Sequence, residues 1–128
     1  MYHGRKRDFA QTEAAAAHRL RQDAAPLLRE QAPDLETLRL SFDERRPGGA
    51  ATAMPFARPI VVSSARAHFE FRCMEPRCDG RHDFTKVILK ALREKRASTV
   101  EEQACNGVVD SAACDRTLIV TCQATYRS

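Results

Sequence analysis

The sequence predicts an α+β fold: an antiparallel sheet of about four strands, two helices on one face, and a structural zinc site as staple. Three observations predict it. The hydrophobic periodicity runs helix, three strands, helix, strand, an order that packs helices on one side of an antiparallel sheet. Cys73, Cys78 and His82 fall between the third strand and the second helix, and soft thiolates with imidazole at short spacing suit a tetrahedral zinc ion. The chain has 128 residues, 43% of them hydrophobic, and no Trp. That allows one domain with a modest core, which a metal would reinforce.

The elements follow in order. Residues 1–8 read as a mobile basic arm carrying Arg5, Lys6 and Arg7, and residues 9–128 as the single domain. A first helix spans residues 9–31, with Phe9, Ala16, Leu20, Ala24 and Leu27 on one stripe. Pro26 kinks it or opens a second helix. Leu38, Leu40 and Phe42 alternate with polar residues, which predicts a half-buried strand. Residues 43–49 read as a polar turn closed by Gly48 and Gly49. Ile60, Val61 and Val62 predict a second strand. His68 to Arg72 predict a third, with Phe69 and Phe71 on one face and Cys73 at its end. Asp83 caps a helix over residues 84–95, with Phe84, Val87, Ile88, Ala91 and Leu92 facing inward. A polar stretch from Val100 carries Cys105 and Cys114. The last strand, from Arg116 to Tyr126, puts Leu118, Val120, Cys122 and Ala124 on one face. The first five elements follow the order of a double-stranded-RNA-binding domain, a likeness of topology that does not fix function.

The metal region spans residues 69–116. Cys73, Cys78, Cys105 and Cys114 are the favoured ligands of one structural zinc, with His82 either replacing one of them or lying just outside the ligand shell. The alternative is a set of scattered buried thiols. Four of the five cysteines, however, lie in turns rich in Pro, Gly, Asn and Asp. Cys122 is in phase with Leu118 and Val120 and reads as a core thiol. No His-Glu-x-x-His and no deaminase pairing of His-x-Glu with Pro-Cys-x-x-Cys occurs. No Gly-rich phosphate loop or nucleophile elbow is present either. The expectation is a protein that is not an enzyme.

The formal charge is +4, with the charges unevenly placed. Residues 66–97 hold nine Lys/Arg against five Asp/Glu, and residues 98–115 hold no Lys/Arg and four Asp/Glu. Segregated basic and acidic surfaces are therefore expected. Lys86, Lys90 and Arg93 form a basic helix face, and Arg77 and Arg81 flank the metal turns. Together they are the candidate nucleic-acid contacts. A solvated helix face is the plainer reading. Few aromatics are spare for base stacking. His3, His18 and His68 read as structural or solvated.

Met1 to Phe9 lack an apolar signal segment, and no stretch is apolar enough to span a bilayer. The expectation is a soluble cytoplasmic protein, where cysteines stay reduced and favour metal over disulfides. Five cysteines, an odd number, also cannot all pair within one chain.

Phe69-Glu-Phe-Arg-Cys73-x4-Cys78-x-Gly80-x-His82-Asp83-Phe84-Thr85, then Cys105-Asn-Gly107, Cys114 and the final strand, resembles a group of small bacterial proteins with a zinc-finger-like core. Arg81 and Phe84 stand where that pattern would have Gly and Leu. The resemblance implies a shared metal-stabilised fold and no reaction. The expected function is a zinc-binding adaptor that meets nucleic acid or a ribonucleoprotein through the basic helix face. The alternatives are a protein–protein interaction module and a thiol-based redox sensor.

Overall fold

A computed structural model describes residues 2–50, 52 and 54–128, with side chains described from residue 12 onward. The fold is α+β. A four-stranded antiparallel sheet has the order β2-β1-β8-β5, from β1 (Leu35–Arg45), β2 (Phe56–Ile60), β5 (Ser98–Ala104) and β8 (Thr117–Tyr126). Two small hairpins stand outside it. One is β3 (Glu70–Arg72) with β4 (Arg81–Asp83), and the other is β6 (Val108–Val109) with β7 (Ala112–Ala113). The helices are α1 (Tyr2–Ala24), α2 (Leu28–Gln31) and α3 (Thr85–Arg93).

The two central strands pair with their apolar residues opposite one another: Leu38 with Ala124, Leu40 with Cys122, Phe42 with Val120. Directly opposed residues share a face, so this register builds one buried surface. Leu28 of α2 and Ile88, Leu89 and Leu92 of α3 complete the same core. The helical layer therefore covers one face of the sheet.

Several expectations change. The segment 9–31 divides at Pro26 into α1 and the short α2, the second of the two sequence readings, because Pro26 cannot donate a helical N–H. Instead its carbonyl accepts from Ala67 N–H at 2.8 Å, and Leu28 N–H donates to Ala65 at 2.9 Å. The proposed stripe does not face inward: Ala16 and Ala24 are exposed and Leu20 is 71% exposed. The segment 2–8, expected as an arm, is helical backbone, and the side chains of Arg5, Lys6 and Arg7 lie outside the described residues.

The strand expected at Ile60 to Val62 lies upstream, as edge strand β2, where Pro59 is tolerated because an edge leaves some N–H positions unpaired. Asp43, Glu44 and Arg45 extend β1 instead of turning, and the turn comes at Gly48 and Gly49, both at positive φ. The third strand pairs only with β4, outside the main sheet, so the order departs from that of a double-stranded-RNA-binding domain. The polar stretch after Val100 contributes the fourth sheet strand, β5. Phe84, not Asp83, occupies the α3 cap, while Asp83 Oδ1 accepts Thr85 N–H at 2.9 Å. Leu89, not Val87, faces inward.

Candidate metal centre

Cys73 directly follows β3, and Cys78 comes later in the turn of the β3–β4 hairpin. The hairpin closes with Cys73 N–H donating to Gly80 O at 3.1 Å. Cys105 and Cys114 bracket the β6–β7 hairpin in the same way, with Cys114 N–H donating to Gly107 O at 2.9 Å. Asp110 and Ser111, both at positive φ, make the tight turn between β6 and β7. Two hairpins thus each present two thiols to a common point.

The four Sγ atoms lie within 4.8 Å of one another. Cys73 and Cys114 are 3.8 Å apart, and Cys78 and Cys105 are 3.5 Å apart. Metal–thiolate bonds of about 2.3 Å in a tetrahedron have edges of about 3.8 Å. The four cysteines are therefore placed to hold a metal ion.

Each hairpin also supports its thiolate. Gly80 N–H donates to Cys78 Sγ, and Gly107 N–H donates to Cys105 Sγ, both at 3.3 Å. These are matching Cys-x-Gly turns. They also interlock: a Cβ on Gly80 would lie 2.5 Å from Cys105 Sγ and 2.9 Å from Gly107 N. Gly107 is equally constrained, by Cys78 Sγ and by Gly80 N at 2.7 Å from its hypothetical Cβ. Glycine is required here by close backbone approach.

Burial pushes the Cys73 thiol well above its ordinary value and Cys78 up to about 12. Four adjacent thiolates without a cation would repel in this setting. A bound divalent cation inverts that logic and deprotonates its thiol ligands.

A buried ion pair braces the site. Glu44, 1% exposed, accepts from Arg116 Nη1 at 2.8 Å, Thr52 Oγ1 at 2.8 Å and Met74 N–H at 2.9 Å. Arg116 also reaches Glu75 at 3.0 Å. This fixes the Cys73 turn against β1 and the start of β8. Sequence reasoning placed Glu44 in a solvated turn. The signal it overlooked is that Glu44 continues the alternation of Leu38, Leu40 and Phe42.

His82 lies apart from the four-thiol group. It is fully buried, pairs with Phe71 across β3–β4, and has no hydrogen-bond partner at either nitrogen among the described residues. Burial lowers its pKa, with Glu44 opposing. Cys122 is buried in the core, as the phase of the last strand predicts, and burial raises its thiol to about 11.

An ion pair joins the two charge blocks at Arg77 and Asp110. Arg77 pairs with Glu75 at 3.1 Å and with Asp110 at 2.6 Å. Lys86, Lys90 and Arg93 do lie exposed on α3, with Arg93 donating to Gln31 at 2.5 Å. Arg81 is half-buried in the β3–β4 hairpin.

His18, His68 and Glu70 form a second close group. Arg21 donates to both Glu70 oxygens, at 2.8 and 2.6 Å, and His18 and His68 lie at 2.9 and 3.2 Å from the same carboxylate. A guanidinium already occupies the place of a cation, so this cluster ties α1 to the hairpin. His18, read from sequence as structural or solvated, is one of its links.

No family model, curated protein or solved structure matches this chain. Among the described residues, no helix is long and apolar enough to cross a membrane.

Proposed function

We propose that the protein is a non-enzymatic binding module whose fold is stapled by one structural zinc, held by Cys73, Cys78, Cys105 and Cys114. The observation that carries this reading is the convergence of four thiols within 4.8 Å from two interlocked Cys-x-Gly hairpins. All-thiolate donors favour zinc or iron–sulfur chemistry over hard cations, and four protein ligands close the shell as a structural site requires. The bound ion would supply folding free energy by joining the β3–β4 hairpin to the segment before β8.

The partner this reading favours is a polyanion, nucleic acid or ribonucleoprotein, met by α3. Lys86 and Lys90 are exposed on that helix, and among the described residues neither has a carboxylate partner. Arg77 is less suited to the task, being held by Glu75 and Asp110. The test is a titration of a fluorescent RNA duplex across a salt series, using the zinc-loaded protein and the Lys86→Gln/Lys90→Gln variant. The expected result is a steep log–log salt dependence that flattens by about one unit per lysine removed. No saturable binding of the duplex even at low salt would contradict the polyanion reading and favour a protein partner.

A further inference from the structure

A cleft of about 290 Å³ lies between edge strand β2 and the β3–β4 hairpin. Its volume is at the lower edge of the roughly 300 Å³ usual for small-molecule sites. Three arginines line it, Arg58, Arg72 and Arg81, against one carboxylate, Glu70, which Arg21 already engages through both oxygens.

Arg72 and Arg81 are directly opposite each other across the hairpin. Like charges at such a position oppose pairing. Among the described residues neither is hydrogen-bonded to a carboxylate: Arg72 donates to the Pro76 carbonyl, at 3.1 Å, and the buried Nε of Arg81 has no partner, so the Glu70 charge that favours Arg81 is opposed by Arg72 and by Arg21. The hairpin thus concentrates positive charge where its own pairing would be better without it.

The cleft also carries an exposed ring. Phe56 is 45% exposed, although it sits opposite Phe42 on the inward side of β2. Phe42 stacks on it at 5.0 Å and 24°, and the ring lines the cleft while keeping nearly half of its surface exposed. A flat aromatic face beside unpaired arginines recognises a planar ring that carries a phosphate.

We propose that this cleft binds a nucleotide, with its base on Phe56 and its phosphate on Arg72 and Arg81. The site is separate from the basic face of α3 and does not rest on it. The nucleotide comes either as a free monophosphate or as one unit of a single strand.

The test follows amide chemical shifts of the zinc-loaded, full-length protein during titration with AMP, adenosine, inorganic phosphate and a four-nucleotide RNA. Saturable shifts at Phe56, Arg58, Arg72 and Arg81 are expected with AMP. Phe56→Ala and Arg72→Gln, both at exposed positions, should each weaken AMP at least fivefold, and Lys90→Gln should leave it unchanged. Tighter binding of the RNA than of AMP would identify a strand as the source. Equal affinity would identify the free nucleotide. Phosphate binding as well as AMP would overturn the ring platform. The absence of saturable shifts at these residues up to millimolar AMP and RNA would overturn the site.

Discussion

Gly80 and Gly107 approach so closely that neither position has room for a Cβ, and each abuts the thiol of the other's hairpin. Gly80→Ala would force a Cβ to 2.5 Å from Cys105 Sγ and 2.9 Å from the Gly107 backbone nitrogen. Backbone cannot rotate away as a flexible side chain can. We expect Gly80→Ala to lower metal affinity by roughly 10–100-fold, the usual cost of disturbing groups that orient ligands. Competition against a chromogenic chelator measures this directly. Unchanged affinity would mean that the two hairpins are not locked together.

Cys73→Ser or Cys78→Ser should abolish stoichiometric zinc and largely unfold the region around the two hairpins, since metal-binding free energy is folding free energy there. Cys122→Ser should keep full metal content and cost about 1–2 kcal/mol from burying a hydroxyl in an apolar core. Metal analysis alongside urea unfolding distinguishes the two outcomes.

Glu44→Ala should destabilise the protein by about 3 kcal/mol, because it leaves Arg116 largely buried without its only fully buried carboxylate partner among the described residues, Glu75 and the exposed Asp115 remaining. Glu44→Gln should cost less, since an amide still hydrogen-bonds to Thr52 or Met74. Chemical denaturation of both variants provides the comparison. Equal losses would show that charge, not shape or hydrogen-bonding capacity, holds this corner.

Glu70 predicts a pH dependence for the docking of α1. The hydrogen bonds from Arg21, with help from His18 and against burial, hold its carboxyl down at about 2, from an ordinary 4.5. A depressed folded pKa contributes stability that is complete above the ordinary value and is lost as pH falls towards the folded one. Hydrogen-exchange protection in α1 should therefore decline between about pH 4.5 and pH 2. Glu70→Gln should show reduced protection already at neutral pH, without that step.

His82→Leu should retain one metal per chain and lose no stability. A buried imidazole with neither nitrogen paired carries an uncompensated desolvation cost of roughly 1–3 kcal/mol. Loss of metal in this variant would return His82 to the ligand set.

The α+β class and the four cysteines were legible because each left a local pattern. The last strand alternates cleanly, and four cysteines sit in turn-forming sequence. Other features were hidden because they depend on partners distant in the chain. Glu44 looks solvated until Arg116, 72 positions later, lies beside it. Strand β5 alternates half-buried with exposed residues and has no strong apolar run to announce it. The stripe in α1 misled because alanines fit any helix face, and the helix docks through the polar residues His18 and Arg21 instead of through Leu20.

The central claim is that four cysteines hold one zinc. Native mass spectrometry of untagged protein, purified under reducing conditions, tests it most directly. The account predicts one zinc per chain, lost together with compact structure on chelation. A metal-free, compact protein with five titratable thiols would contradict it.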